Sequence, residues 1–362
     1  RMPILWESLA MPPYLYKVQE ELGEDWNKTT LYGAFENLLD EIKDDERFRP
    51  DLVVYIGGHI VSKKLKSYLR SLKGVEQIRI SQEADIEDTF MHLTKVMDLP
   101  NSDAMSWLDN FGWHNHWEDY RKLWMDALAK SYERKENFKP EFSSLATVKE
   151  FFSQLQKVEP QDFKAFTLGG KDAQDDGIYD RKFDTFLPGL MSSVISGNSS
   201  AIRLMNLYAD RHVYCNRGVN GIEGSLSTAV GFSMCKNKSD KHVYCVLGDL
   251  SFFYDQNALW NRNLNGKLRI IVLNNGGGAI FGKFQGLKES QAREEMIMAK
   301  HHATAEGICS QNDIKYFAAH TKEEMEQGIS QLIHAESERP MLLEVFTDMD
   351  VDNEMLEAVQ KC

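Results

Sequence analysis

Apolar positions along the chain follow two kinds of spacing. Residues 51–72, DLVVYIGGHIVSKKLKSYLRSL, give an unbroken apolar run, a double glycine, and a stretch in which Val61, Leu65, Tyr68, Leu69 and Leu72 fall near one helical face. Residues 76–81, EQIRIS, read as the next strand, which makes a β-α-β unit of a doubly wound sheet. Residues 103–137, with Trp107, Trp113, Trp117 and Trp124 among charges, read as helices linking two domains. Residues 159–184 are polar and acidic with little period, and read as a long surface loop. From about 190 the texture changes. RHVYCN, KHVYCVLGD, KLRIIVLNN and RPMLLEVFTD (339–348) read as strands, with a helix from about Lys322 to Glu336 before the last. Between the second and third, Phe252, Phe253, Leu259, Trp260 and Leu264 sit at roughly helical spacing over 252–264. No internal repeat occurs. The pattern predicts an α/β chain with two doubly wound parallel-sheet domains. The first covers 1–144, with a helical linker from about 103; the second covers 145–362, with a loop insertion near 159–184.

Composition narrows the partners. The chain has 42 Lys and Arg against 55 Asp and Glu, a net charge of −13. That sign argues against broad binding to a nucleic-acid backbone or an anionic membrane surface. No apolar run approaches the length of a membrane span, so no membrane insertion is expected. Five cysteines without a CxxC pair point to a reducing, cytoplasmic setting. GxGxxG is absent, so Gly57-Gly58 reads as a tight strand-to-helix turn rather than a dinucleotide site. His114 and His116 diverge if helical and have no third ligand near in sequence, so they read as no metal site. The chain opens RMPILWESLA, without an initiator Met, and is expected to be a fragment.

The chemistry concentrates in 241–281. Its first strand ends in Gly248-Asp249, its second in Asn274-Asn275 followed by Gly276, Gly277 and Gly278. A right-handed crossover makes the strands parallel, so both ends emerge at one carboxyl edge, where open α/β sheets bind ligands. A carboxylate, an amide oxygen and a backbone carbonyl are hard oxygens. They suit Mg²⁺, which usually completes its octahedron with phosphate oxygens and water. The helix beginning after Leu250-Ser251 aims free N–H groups at the same place, and the glycines let backbone approach a ligand. The residues therefore read as a Mg-diphosphate site, against the plainer alternative of a polar strand edge with a capping Asp.

The order GD (248–249) then NN (274–275) resembles the thiamine diphosphate motif, with Leu250 in place of the usual third Gly. NRGVNGIEGSLSTAVG (216–231), GDLSFFYDQNAL (248–259) and NNGGGAIF (274–281) are similar to the 2-succinyl-5-enolpyruvyl-6-hydroxy-3-cyclohexene-1-carboxylate synthases of menaquinone biosynthesis, and Leu250 fits that family. The resemblance is dense from about 197 to 287 and looser, but collinear, over 31–80 and 313–348.

The resemblance implies a thiamine diphosphate- and Mg²⁺-dependent transferase. It would decarboxylate 2-oxoglutarate and add the four-carbon acyl unit to isochorismate. It implies Asp249, Asn275 and the Gly277 carbonyl as metal ligands. Gly248, Leu250 and Ser251 would lie at the diphosphate, and Ile280 beside the cofactor. Ile222 would be the wedge that bends the cofactor; on pattern alone it is a core position at a helix start. Arg203, Arg217 and Ser199 would bind substrate carboxylates, with Phe281 as an apolar wall; on pattern alone Arg203 is one arginine on an amphipathic helix. Lys283 stands where an apolar or small residue is expected. The family is a homo-oligomer, dimer or tetramer, whose pyrimidine domain carries the glutamate that activates the cofactor. Nothing here resembles that domain, so no catalytic residue is assigned and the chain alone is expected to be catalytically silent. Alternatives are another thiamine diphosphate enzyme, such as a 2-oxo acid decarboxylase or acetohydroxyacid synthase-like protein, and a non-catalytic Mg-diphosphate binding module.

Overall fold

A computed structural model of the 362-residue chain describes residues 3, 5, 7–10, 34–82, 86–100, 103–104, 107–108, 118–159, 192–236, 241–283 and 289–362. The chain divides into two compact units: residues 1–10, 18–138 and 359–362, and residues 11–17 and 139–358. The expected loop at 159–184, beyond Glu159, and the His114–His116 pair lie outside the described residues.

The first unit holds a three-stranded parallel sheet in the order β1 (Leu52–Ile56), β2 (Glu76–Ser81), β3 (Lys95–Asp98). After β1 the chain turns through Gly57, at φ 99°, a conformation that costs a residue with a Cβ. Helix α1 (Ala34–Ile42) precedes the sheet, and α2 (Lys63–Ser71) follows the turn. The N-cap Ser62 accepts the Leu65 N–H at 2.9 Å. The buried Glu7 carboxylate takes the N–H groups of Val61 and Ser62 at 2.8 and 2.7 Å, so donors left over at the helix start have partners. Val61, Leu65, Tyr68, Leu69 and Leu72 are all buried. Helix α3 (Glu118–Asn137) lies in the stretch expected to be a linker. It sends Trp124 and Leu128 into the same core as Phe35, Leu38 and Leu39 of α1.

The second unit is a six-stranded, wholly parallel sheet: β4 (Ser193–Ser196), β5 (Val213–Cys215), β6 (Val243–Gly248), β7 (Leu268–Asn274), β8 (Lys315–Ala319) and β9 (Met341–Phe346), in the spatial order β5-β4-β6-β7-β9-β8. Central β6 and β7 are buried almost throughout, as strands covered on both faces must be. The helices are α4 (Ser144–Val158), α5 (Ser200–Tyr208), α6 (Ser225–Met234), α7 (Asp249–Asp255), α8 (Glu306–Gln311), α9 (Lys322–His334) and α10 (Met349–Val359). Thr321 and Glu324 close a capping box at the start of α9.

The helix expected over 252–264 is shorter. It begins at Asp249, ends at Asp255 and continues as a 3-10 turn, Gln256–Trp260. Asp255 explains the stop: its carboxylate accepts both the N–H and the hydroxyl of Ser227 in the first turn of α6. An acid at a helix C-terminus opposes that helix's dipole, whereas at the N-terminus of α6 it satisfies it. Among the described residues, no helix is long and apolar enough to cross a membrane.

Beneath the sheet lies a buried cation. Arg269 on β7 is fully buried. Its Nε donates to the Leu332 carbonyl at 3.1 Å and its Nη2 to that of Ala335 at 3.0 Å, at the end of α9. Nη2 also lies 3.2 Å from His242 Nε2, and an arginine can only donate, so that histidine nitrogen is the acceptor. Burial, then repulsion from Arg269 and neighbouring lysines, pushes the His242 pKa down to about 4. Above pH 6.5 the folded and unfolded chains both hold this histidine neutral. Between about 6.5 and about 4 the unfolded chain takes up a proton and the folded one does not, so stability falls as pH falls. Urea midpoints at pH 7.5 and pH 5 should therefore differ more for the wild-type chain than for His242→Gln, which keeps an acceptor and cannot titrate. Equal losses would remove His242 as a source of acid sensitivity.

Candidate functional site

The parallel sheet sends the carboxyl ends of β4, β5, β6, β7 and β9 to one edge. The chain runs from β4 outward to β5, then returns past β4 to β6. The strand order reverses between β4 and β6, the position where open α/β sheets take ligands. Gly197, just past β4, donates to Val246 O at 2.8 Å, and a Cβ there would lie 2.9 Å from that of Leu247. Only glycine lets the two strand ends approach this closely.

Three loops meet at this edge. Ser199 opens α5 with φ 67° and makes no side-chain capping bond. A non-glycine residue held there is strained, a feature concentrated at functional sites. Arg203, in the first turn of α5, donates from Nη1 to the Ser199 carbonyl at 2.5 Å. Asn198, 3% exposed, ties the β4 loop to the loop after β5. Its Nδ2 donates to the carbonyls of Asn216 and Gly221, and its Oδ1 accepts Arg217 Nη1 at 3.1 Å. The Nε of Arg217 is buried with no hydrogen-bond partner among the described residues. Ile222 follows Gly221 in the same loop, half-buried, just before α6.

The next loop is organised by Asp249, 3% exposed at the start of α7. Its Oδ1 accepts the Leu250 N–H at 2.6 Å; its Oδ2 accepts those of Gly276 and Gly277 at 2.8 and 2.9 Å. The carboxylate thus stitches the end of β6 to the glycine turn after β7, its neighbour in the sheet. Gly276 and Gly277 take φ 81° and 150°, and a Cβ on Gly277 would lie 2.6 Å from the Met298 carbonyl, so that turn requires glycine. His301 Nε2 lies 3.3 Å from Asp249 Oδ2, while its Nδ1 accepts the Ala303 N–H at 3.1 Å. The latter bond puts the imidazole proton on Nε2, facing the acid. Asp249 raises the histidine's pKa, partly opposed by burial.

The two asparagines have different tasks. Asn274, 4% exposed, donates through Nδ2 to Ala303 O at 3.0 Å and to Glu344 Oε1 at 2.7 Å, and accepts the Gly276 N–H at 3.1 Å. It shapes the turn. Asn275 donates through Nδ2 to Asp352 Oδ2 at 2.8 Å, while its Oδ1 is buried without a partner. A buried acceptor left unpaired is costly, and here it stands in the loop that Asp249 pins. The Gly277 carbonyl accepts the Ala279 N–H at 3.1 Å, which leaves its second lone pair.

Gly248 ends β6, Leu250 is half-buried and Ser251 buried in α7. Ile280 and Phe281 fall in a 3-10 turn, Ala279–Lys283, the first half-buried and the second exposed. The sequence reading did not find Asn198, His301, Glu344 or Asp352. For Glu344 a signal existed, a lone acid inside the apolar run MLLEVF. The cleft at the ends of β7 and β9, about 370 Å³, is bordered by Asn275, Lys300, His301, Thr347 and Asp350.

Among the described residues no group of three His, Cys, Asp or Glu could hold a metal. The donors here are of another kind: one carboxylate, one amide oxygen and one peptide carbonyl, the hard set that suits Mg²⁺ with phosphate oxygens and water. The unpartnered Asn275 Oδ1 fits such an ion, as does the glycine turn that admits only backbone.

Residues 196–345 match the family model "Thiamine pyrophosphate enzyme, C-terminal TPP binding domain". The chain is 33% identical over 371 aligned residues to the 2-succinyl-5-enolpyruvyl-6-hydroxy-3-cyclohexene-1-carboxylate synthase of Phocaeicola vulgatus, covering 97% of this chain and 58% of that protein. It is 33% identical to the synthase of the same name from Bacteroides thetaiotaomicron, covering 85% and 49%, and 31% identical to that of Christiangramia forsetii, covering 97% and 56%. The chain spans about half the length of these curated relatives. It carries the cofactor-binding domain of the thiamine pyrophosphate enzymes and, over most of its own length, is similar to the 2-succinyl-5-enolpyruvyl-6-hydroxy-3-cyclohexene-1-carboxylate synthases.

Proposed function

We propose that this chain supplies the diphosphate half of a Mg²⁺-dependent thiamine diphosphate site in a menaquinone-pathway transferase that uses 2-oxoglutarate and isochorismate. The observation that carries the reading is the buried, unpartnered Asn275 Oδ1 beside the turn that Asp249 holds. Asp249, Asn275 Oδ1 and the Gly277 carbonyl would hold the metal, and Leu250 and Ser251 would face the diphosphate. Thiamine diphosphate, when bound, supplies the electron sink for decarboxylation of a 2-oxo acid. The chain's own residues place and neutralise. Ile222, between the Asn198-tethered turn and α6, would hold the cofactor in its bent form, with Ile280 beside it. Activation of the pyrimidine half is outside what these residues supply, which is why the chain alone is read as silent. Five free cysteines agree with a reducing, cytoplasmic setting, and a homo-oligomer is part of the same reading.

Both proposed substrates carry carboxylates, and an acidic protein needs local cations for them. Arg217 offers a buried donor, Nε, without a partner, and Arg203 stands one turn into α5 beside the strained Ser199. A guanidinium fork suits a carboxylate better than a lysine does, and Phe281 would wall the apolar side. The test is CO₂ release from 2-oxoglutarate, and product formation with isochorismate, by the natural protein that carries these residues, with and without chelator. Arg203→Ala and Arg217→Ala should each weaken use of 2-oxoglutarate by roughly tenfold to a hundredfold, from about 1.5–3 kcal/mol per charged hydrogen bond. Cofactor affinity should change little. A preference for pyruvate, with both variants unaffected, would point instead to a simple 2-oxo acid decarboxylase.

A further inference from the structure

We infer that Asp352 is a positioning residue for the metal site: it fixes which end of the Asn275 amide faces the ion. The inference rests on the metal reading above. Asp352 lies in the first turn of α10, after β9, 77 positions from Asn275. Its carboxylate is a hub for donors only. Oδ1 accepts the Ser144 N–H at 2.7 Å. Oδ2 accepts the Ser144 hydroxyl at 2.6 Å, Asn275 Nδ2 at 2.8 Å and the Thr347 hydroxyl at 3.0 Å.

An asparagine side chain has one donor end and one acceptor end of nearly equal shape, and its partners decide which way it points. Both oxygens of Asp352 already accept N–H or O–H donors from Ser144 and Thr347, so the carboxylate meets Asn275 as an acceptor and only the NH₂ end is stable beside it. The oxygen must then point the other way, and it is this oxygen that is buried without a partner. Ser144 and Thr347 hold the carboxylate from α4 and from the end of β9, so the hub is set by three separate elements of the unit. Removing the charge would remove the constraint. An amide at 352 has a single oxygen. If that oxygen faces Ser144 N–H, its NH₂ confronts the NH₂ of Asn275, and Asn275 relaxes by turning over. A donor would then face the cation.

The test uses the 362-residue chain with Mn²⁺ as a paramagnetic probe in the presence of thiamine diphosphate, read by electron paramagnetic resonance, with thermal unfolding in parallel. Asp352→Asn should weaken Mn²⁺ binding by roughly tenfold to a hundredfold, the range for partners that orient a metal ligand. The exchanged pair, Asp352→Asn with Asn275→Asp, restores one acceptor-only and one amide side chain in contact, and should recover most of that loss. A carboxylate at 275 adds an anionic ligand of its own, so the recovery is measured against Asn275→Asp alone; a role in folding alone gives no recovery beyond that variant's own change. Wild-type Mn²⁺ affinity in Asp352→Asn, or a loss that the exchange leaves unrepaired, overturns the inference. Should Asp352→Asn not fold, the exchanged chain decides: affinity near wild type supports the inference, and affinity as low as that of Asp249→Ala overturns it. Asp249→Ala separates this inference from the reading beneath it. If that variant loses Mn²⁺ while Asp352→Asn does not, only the role of Asp352 falls; if neither loses it, the metal site itself falls.

Discussion

Replacing Asp249 with alanine should abolish metal-dependent binding of thiamine diphosphate. Two losses coincide in that variant. The first is the one charged member of the proposed ligand set, otherwise made of neutral oxygens. The second is the acceptor for the Leu250, Gly276 and Gly277 N–H groups, two of them in the glycine turn itself. Gly277 is buried, so its N–H has no easy recourse to water, and each stranded donor costs about 1–3 kcal/mol. The turn that carries the Asn275 oxygen and the Gly277 carbonyl would lose its anchor together with the carboxylate's charge. The fall in cofactor affinity should exceed the roughly tenfold to hundredfold expected from an indirect partner. Asp249→Asn divides the two losses, because it keeps one acceptor oxygen and the shape while removing the charge. Calorimetry with Mg²⁺ and thiamine diphosphate reads the result. Undiminished affinity in Asp249→Ala would sink the assignment.

Strand ends were legible in the sequence; what steadies them was not. LRIIVLN is buried from end to end, and VYCVLG up to its last residue. They carry no alternation and stop at glycine, acid or amide, so both the elements and the chemistry at their tips could be read directly. The strands that escaped notice are short or half-exposed. β3 and β8 have partly open faces, and β4 is four residues, SVIS, with too little apolar length to stand out. The 252–264 stretch misled for another reason: its apolar spacing is helical, yet Asp255 leaves its own helix to cap α6, a tertiary choice that periodicity cannot express. The same holds at the site. Asp249 and Asn275 announce themselves through local sequence, whereas His301 and Asp352 matter only because other elements carry them to the same edge. A histidine before a loop, or an acid in the first turn of a helix, looks like any other in sequence.

Glu344 is the exception that local pattern could have flagged, and its removal should give the largest loss of stability. It sits in β9 between β7 and β8, opposite Val272 and Ala318, and is 0% exposed. Its Oε1 accepts Asn274 Nδ2 at 2.7 Å; its Oε2 accepts the Ala305 N–H at 2.9 Å and the Tyr316 hydroxyl at 2.8 Å. Burial raises the Tyr316 pKa, and the bond to Glu344 raises it further, so the phenol keeps its proton and donates. All three neighbours are therefore donors, and only a carboxylate can answer them all. In Glu344→Ala, Asn274 keeps the Ala303 carbonyl, but Ala305 N–H and Tyr316 O–H are stranded. At about 1–3 kcal/mol per unsatisfied donor, the loss is roughly 2–6 kcal/mol. Glu344→Gln should cost less and do so differently. Its oxygen can serve Ala305 and Tyr316, leaving its NH₂ against that of Asn274, so stability is largely kept while the turn that Asn274 shapes through Gly276 is disturbed. Urea unfolding of both variants, paired with thiamine diphosphate binding, separates the outcomes. A Glu344→Ala chain within about 0.5 kcal/mol of wild type, the usual size of a surface change, would show that this buried acid holds neither the sheet nor the asparagine that turns the chain into the site.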